Sequence, residues 1–287
     1  MKLIKRNSYY YLKHSYREEE KVITKEKYIG KTIPKNIEEI EKQFLEICRK
    51  ESLYLQLSEI KTNFQKEWGK YPDSIKEKIK EQLTIDFTYN TNAIEGSTIT
   101  LEETREIIEN KIAPQKPLRD IKETEAHAKL FLEILEKKEK VTNKLILDWH
   151  LKLFKETKPD IAGRFRDYLV RVGNYRAPDW QNIEKLMGDF ISFYNKNQKM
   201  NHIELAARIH YKFERIHPFG DGNGRIGRLL MNYILWHNKY PILIIEYKKR
   251  KSYYKALQKG EEGFFNYFMR RYLRIHKKYL TKDLKSN

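Results

Sequence analysis

Three features of the sequence predict a mainly α-helical protein that carries a short β-hairpin. Leu205, Ile209 and Phe213 recur every four residues before a glycine-rich loop, and Ile226, Leu229, Leu230, Tyr233 and Ile234 resume the 3.6-residue spacing of a buried helical face after it. Similar amphipathic patterns, punctuated by Pro34, Pro72, Pro114, Pro117, Pro159 and Pro241, fill most of the remaining chain. Two stretches, Ser8 to Gly30 and Phe165 to Tyr175, read as β.

In chain order, Tyr9, Tyr10 and Tyr11 and then Val22, Ile23 and Tyr28 form two β-prone runs, so residues 1–33 are expected to be a β-hairpin or small meander with a structural role. Pro34 opens a long helix to about Trp68, and Pro72-Asp73-Ser74 starts the next, which runs through Ile79, Leu83, Ile85 and Phe87 to a stop at Gly96. Residues 34–99 thus make a helical region. The rest, residues 100–287, reads as one larger domain. A helix capped at Thr100 reaches Ile112, and two more patterns cover about 119–138 and 142–155. In Phe165–Tyr175, Tyr168, Val170 and Val172 alternate with Leu169 and Arg171, with Gly173-Asn174 as the tight turn of a hairpin. An amphipathic helix follows Trp180, then the helix pair that brackets the glycine-rich loop, and a final aromatic helix runs from Gly263 to Leu280. There is no internal repeat.

The 287 residues contain no run of about 18 apolar residues, and charge begins at Lys2, too early for a secretory signal, so a cytoplasmic protein with no membrane span is expected. One cysteine, Cys48, excludes an intrachain disulfide and any cysteine metal cluster. The net charge of +18 suits nucleic acid or a polyphosphate, but the excess is mixed with Glu along the chain rather than gathered into an arm. Heat-adapted proteins share that composition. Nucleic acid therefore ranks behind a nucleotide as the partner.

The chemistry is concentrated in His217-Pro218-Phe219-Gly220-Asp221-Gly222-Asn223-Gly224-Arg225-Ile226-Gly227-Arg228. Gly222, Asn223 and Gly224 at a helix start present backbone N–H groups without crowding side chains, where the helix dipole favours an anion. Arg225 and Arg228, three apart, can reach phosphate oxygens, and Asp221 can share a metal with phosphates and waters. His217 is the natural general base. Gly222, Gly224 and Gly227 also spell G-x-G-x-x-G, but that fingerprint follows a strand and the run before this loop is helical. A plain glycine-rich turn would not call for His, Asp, Asn and two Arg together.

The stretch resembles the signature of Fic-domain proteins, H-P-F-x-D-G-N-G-R-x-x-R, at every defining position. The resemblance implies a Fic-type helical domain with a β-hairpin flap, and transfer of AMP from ATP to a Ser, Thr or Tyr hydroxyl of a protein, itself included. It makes His217 the base, Asp221 the ligand of Mg²⁺ (or Mn²⁺), and Gly222, Asn223, Gly224, Arg225 and Arg228 the phosphate contacts. Thr91-Asn92-Ala93-Ile94-Glu95-Gly96 resembles the family's inhibitory motif, [S/T]-x-x-x-E-[G/N]. By charge alone Glu95 is a surface residue at the unfavourable end of a helix dipole; the resemblance makes it a brake that pairs with Arg228. Gly163-Arg164-Phe165-Arg166, followed by Val170-Arg171-Val172-Gly173, resembles the family's flap. The resemblance also places Val172, Gly173, Asn174 and Tyr175 near the ATP base and sugar, Tyr254 against the adenine, His210 in support of the loop, and the chain in a homodimer. Rival readings are removal of AMP at the same site with Glu95 orienting water, a different nucleotide or phosphocholine donor, and a basic nucleic-acid-binding or regulatory protein with a vestigial pocket.

Overall fold

The computed structural model describes residues 1–18, 21–173 and 175–280. It begins with an antiparallel meander, β1 (Lys2–Arg6), β2 (Tyr9–Glu18) and β3 (Lys21–Gly30), in that order across the sheet. Of the expected hairpin or small meander it is the meander, with a first strand outside the two β-prone runs: Lys2 to Arg6 is too charged to stand out, yet it pairs with Tyr9 to Lys13 through a turn in which Asn7 and Ser8 both take positive φ.

The α-helices among the described residues are α1 (Ile37–Trp68), α2 (Asp73–Ile94), α3 (Leu101–Arg105), α4 (Leu118–Glu136), α5 (Asn143–Phe154), α6 (Ile183–Lys196), α7 (His202–Ile216), α8 (Asn223–His237), α9 (Arg250–Gln258) and α10 (Gly260–Ile275). Between α5 and α6 lie two short strands, β4 (Arg171–Val172) and β5 (Tyr175–Arg176). The described residues form two compact units, one comprising Met1–Phe64 with the chain from His276 to Leu280, the other Gln65–Ile275.

In the first unit Leu12 of β2 is fully buried against Phe44 and Cys48 of α1, and Tyr16, Ile29, Ile37 and Ile40 close the cluster. Alternation along β2 therefore sends Leu12 inward and its neighbours Tyr11 and Lys13 outward. Cys48 is a free, buried thiol. Phe64 packs edge-on against Tyr279, whose carbonyl accepts a 2.7 Å bond from Asn63 Nδ2.

The second unit is assembled around α8, in which every residue from Asn223 to Leu235 is buried. Such a helix needs neighbours on all sides, and its glycines let them close in: a Cβ at Gly227 would stand 3.0 Å from Nδ1 of His210 on α7. Asn232, fully buried, exchanges two hydrogen bonds with the Leu243 backbone and so satisfies the coil of the apolar run Ile242–Ile245. Across the unit, α2 packs on α4 through Phe87 and Phe131, ring centroids 4.4 Å apart.

The β-rich stretch expected from Phe165 to Tyr175 is mostly coil, with only two residues in each flap strand. The reason is Arg166. Its buried guanidinium donates to the carbonyls of His217, Tyr168 and Pro178, tying the chain down as coil where a strand would have pointed that side chain to one face. The last long helix starts at Gly260, before the expected Gly263, and ends at Ile275.

After α2, Gly96 takes φ +92°, where a side chain would be strained, and its N–H closes on the Ala93 carbonyl. A capping box follows at once: Thr100 Oγ1 accepts from Glu103 N, and Glu103 Oε2 accepts from Thr100 N. Thr100→Ala is expected to lower stability by about 1 kcal/mol in urea titration; no loss would mean that packing alone starts α3.

Candidate active site

The loop between α7 and α8 is held by its own side chains. His217 closes α7 in the left-handed region (φ 52°, ψ 59°), with its N–H on the Phe213 carbonyl. Asn223 Oδ1 accepts from Phe219 N, and its Nδ2 donates to Phe219 O, at 2.9 and 2.8 Å. That clamp occupies the Asn223 side chain, so what this residue offers a ligand is its backbone N–H. Gly222 is the N-cap of α8 at φ +77°, and a Cβ there would collide with Phe154. The first N–H groups of α8 lack intrahelical acceptors and lie at the positive end of the dipole.

His217 is half-buried, and its imidazole is pushed below the ordinary value of 6.5, mainly by burial. Nδ1 is buried without a hydrogen bond of good geometry, although the nearby Glu214 carbonyl acts to raise the value. A ring neutral at pH 7 can take a proton. Its backbone is pinned by Arg166, whose Nε donates to His217 O at 2.8 Å and whose backbone N–H donates to Pro218 O at 3.0 Å. Tyr175 of β5 reaches the same corner: its hydroxyl donates to Arg215 O at 2.6 Å, and the Arg215 guanidinium lies 3.6 Å from its ring centroid. Val172 is exposed, Gly173 takes φ +56°, and Asn174 lies outside the described residues.

The two arginines of the motif turn to different partners. Arg228, 1% exposed, donates through Nε to Thr91 Oγ1 at 2.5 Å and through Nη2 to Glu95 Oε1 at 2.6 Å. Burial opposes its charge, but Glu95, Tyr253 and Glu214 together hold its pKa above the ordinary guanidinium value. Glu95 is the C-cap of α2, and its carboxylate stands so close to Gly224 that a Cβ there would collide with it. Tyr254 stands beside the same helix end, its hydroxyl donating to Ile94 O at 3.2 Å. The other arginine, Arg225, is ion-paired with Glu123 of α4, lies 4.6 Å from the Phe154 ring centroid and is 3.7 Å from Asp221.

Several residues that sequence reasoning did not single out complete the site. Lys158 places its ammonium 2.5 Å from Asp221 Oδ2 and 3.0 Å from Glu123 Oε1. His150 accepts from Gly163 N through Nδ1, so Nε2 carries the proton and donates to Asp221 O at 3.1 Å, while its ring stacks on Phe219 at 3.8 Å. Burial holds His150 near a pKa of about 4. Glu214 sits near Arg228 with its carboxyl pushed up to about 7, first by burial and then by the Glu95 charge. Lys158 and His150 lie tens of residues from the loop in sequence, Glu214 only three before His217, and no local pattern marks any of them. The likeness of Gly163 to Arg166 to the family's flap was the one signal that pointed at Arg166.

Asp221 is the metal ligand expected from the sequence, and no cluster of three or more His, Cys, Asp or Glu able to hold a metal occurs among the described residues. The carboxylate fits a shared metal nonetheless: it is partly exposed, and it already carries a cation, the Lys158 ammonium, on one oxygen. One protein oxygen suits Mg²⁺ if phosphates and waters supply the rest.

Fold and loop define the class: a mainly helical domain whose central helix pair carries H-P-F-x-D-G-N-G-R-x-x-R at the start of a helix buried from Asn223 to Leu235. Residues 140–235 match the family model described as Fic/DOC family. Over 203 residues, 68% of this chain, the sequence is 37% identical to the protein adenylyltransferase Fic of Nematostella vectensis, and over 67% of the chain it is 34% identical to that of Aedes aegypti. It spans 47% and 40% of those two proteins, under half the length of each. Among solved structures, Fic-1 (residues 134–508) from C. elegans superposes with a TM-score of 0.72 at 25% identity, covering 84% of this chain and 74% of that one. A Fic domain containing signaling protein from Bacteroides thetaiotaomicron shares the fold at a TM-score of 0.70 and 22% identity, covering 78% and 95%. The chain belongs to the Fic/DOC family.

The buried imidazoles set the acid response. His127, His150 and His210 are each held below 6.5 chiefly by burial, so below that pH the unfolded chain binds protons that the fold refuses, and stability drops. Glu214, raised from 4.5 to about 7, works in the opposite sense, adding stability as pH falls through that range. Three groups outweigh one, at up to ~1.4 kcal/mol per pH unit each. Urea unfolding at pH 5.5 should give a free energy roughly 1–3 kcal/mol below that at pH 6.5; an unchanged or higher value would mean that these rings are charged in the fold.

Proposed function

We propose that the chain is an ATP-dependent protein adenylyltransferase, transferring AMP to a Ser, Thr or Tyr hydroxyl of a target protein and held back by Glu95. The observation that carries this reading is the Glu95–Arg228 ion pair beside the α8 N-terminus, next to a neutral His217. An arginine fully buried at a helix start is positioned for a nucleotide's terminal phosphates, and Glu95 already holds it. The names of the relatives support AMP transfer as the reaction class.

In the proposed mechanism the α- and β-phosphates lie on the backbone N–H groups of Gly222, Asn223 and Gly224. Asp221 holds Mg²⁺ or Mn²⁺, which when bound offsets phosphate charge. The attacking hydroxyl gives its proton to His217 as its oxygen bonds to the α-phosphorus, and pyrophosphate leaves in line. Val172, Gly173, Asn174 and Tyr175 flank the base and sugar, and Tyr254 meets the adenine. Arg225, paired with Glu123, supports the loop from below and reaches the phosphates only by turning from that partner. The homodimer implied by the resemblance and the cytoplasmic setting expected from the sequence belong to the same proposal; no helix among the described residues is long and apolar enough to cross a membrane.

Glu95→Gly is expected to raise AMP transfer at least tenfold, read by mass spectrometry of the protein and of added targets after incubation with ATP and Mg²⁺. Without nucleotide its melting temperature should fall, because Arg228 loses its counter-charge, and ATP should shift it upward by more than in the unsubstituted chain. Unmodified protein in every arm would defeat the assignment. His217→Ala in the Glu95→Gly background should abolish transfer yet keep the ATP shift, and the rate of the Glu95→Gly protein should fall on acidification only below pH 6.5, where His217 becomes protonated.

Lys158 supplies a test of the metal site. Lys158→Met leaves Asp221 without its ammonium, so Mn²⁺ bound with ATP, followed by electron paramagnetic resonance, should tighten by about fivefold, the equivalent of ~1 kcal/mol for a partly exposed pair. Weaker binding would place the lysine among the phosphate contacts.

A further inference from the structure

The N-terminal sheet has a face that the adenylylation reading does not use. Leu12 points into the core, so Tyr11 and Lys13 point away from it, and the rings of Tyr9, Tyr11 and Tyr28 meet on that outer side at 5.5–5.9 Å. Tyr28 is 56% exposed. The three rings are tilted or edge-on to one another, not stacked in pairs, so no tyrosine covers another's face, while Arg6 lies over the Tyr11 ring and Lys31 over the Tyr9 ring.

Cations frame them. The Arg6 guanidinium lies 5.7 Å from the Tyr11 ring centroid and the Lys31 ammonium 5.7 Å from that of Tyr9. Lys13 is paired across strands with Lys2. Among the described residues one acid, Glu26, shares this face, bonded to Arg6 at 2.6 Å and 3.8 Å from Lys13. Four cations against one carboxylate leave the patch positive, and the first 33 residues hold nine Lys and Arg against four Glu. Basic charge spread evenly through the sequence is thus gathered with aromatics on one side of a sheet.

We propose that the outer face of the β1–β2–β3 sheet binds single-stranded nucleic acid, bases stacking on Tyr9, Tyr11 and Tyr28 while Arg6, Lys2, Lys13 and Lys31 meet the backbone phosphates. Charge selects an anionic partner, and the rings select one with flat π surfaces at short intervals. Duplexes hide their base faces. Anionic lipid would reward Trp, Phe or Leu at the centre of the patch, where tyrosine stands in all three places. An acidic peptide would pair with the cations and leave the rings unused.

The full-length chain is tested by fluorescence anisotropy with labelled 20-nucleotide oligo-dT and oligo-rU, against the matching duplex and phosphatidylserine vesicles, at 50 and 200 mM salt. Binding of one or both single strands is expected, weakening with salt; the two arms tell DNA from RNA. Tyr28→Ala should weaken it at least fivefold and Tyr28→Phe should not, since the stacking surface is kept. Because Tyr28 is exposed, both variants should melt like the parent chain; a Tyr28→Ala that melts early is replaced by Tyr9→Ala with the same expectation. Arg6→Ala with Lys13→Ala should make the slope of log affinity against log salt shallower by about 0.7 for each phosphate no longer neutralised. The proposal is overturned by no binding at 50 mM salt, by equal affinity of Tyr28→Ala and Tyr28→Phe, or by preference for duplex or vesicles.

Discussion

Arg228 is a permanent positive charge with 1% of its surface exposed, and much of the second unit follows from that. A guanidinium does not give up its proton inside a protein, so its surroundings must supply oxygen. The hydrogen bonds come chiefly from the end of α2, where Thr91 offers its hydroxyl and its carbonyl and Glu95 its carboxylate, with Tyr253 and Glu214 close by on α9 and α7. For these to arrive together α2 has to end at Ile94, which is what the positive φ of Gly96 and its return bond to Ala93 achieve. Tyr254 then ties Ile94 to α9. The odd position of Glu95, a carboxylate at the negative end of its own helix, is explained by a cation from another helix.

The same economy of interactions governs the loop. Its backbone path is set by His217 and Gly222, both in the left-handed region, and by Gly222 and Gly224, where Phe154 and Glu95 leave no room for a Cβ. His217 has its orientation limited from both directions, by the Phe213 carbonyl through its own N–H and by Arg166 through its carbonyl. Arg166 in turn reaches Pro178 on the far arm of the flap. One guanidinium therefore fixes the histidine and anchors the hairpin that stands near it.

What was legible in the sequence was what depends on short-range periodicity or on a contiguous motif. The α7–loop–α8 element, the long α1, the capping box at Thr100 and the stop at Gly96 are written within a few residues of where they act. The motif of the Fic/DOC family is contiguous as well, which is why fold and family could be read before any geometry. Illegible were the counter-ions. Glu123, Lys158 and His150 serve Arg225 and Asp221 from 63 to 102 positions away, and nothing in their local patterns distinguishes them from solvated charges or packed rings. The flap failed differently: alternation at Tyr168, Val170 and Val172 suggested a longer hairpin, but a buried arginine imposes coil for reasons no alternation expresses. Strand β1 was missed because pairing, not β propensity, makes Lys2 to Arg6 a strand.

The start of α8 lies between two ion-paired arginines, and the difference between those pairs decides which one can yield to an incoming anion. Glu123 has 10% of its side chain exposed and, besides Arg225, holds Lys158 at 3.0 Å and accepts from Thr157 at 3.2 Å. Removing it would leave both cations to Asp221 alone and take from the Thr157 hydroxyl its acceptor. Glu95 has 28% of its side chain exposed and a single ion pair among the described residues. A carboxylate nearer to water loses less when it turns away, because solvent replaces part of what the arginine gave. Of the two arginines, Arg228 is therefore the one whose partner can be exchanged for a phosphate at modest cost, and Arg225 the one that stays with the scaffold. On the proposed function, control at the site would follow from unequal desolvation of two similar ion pairs, and the proposed brake would need no moving part larger than one side chain at a helix end.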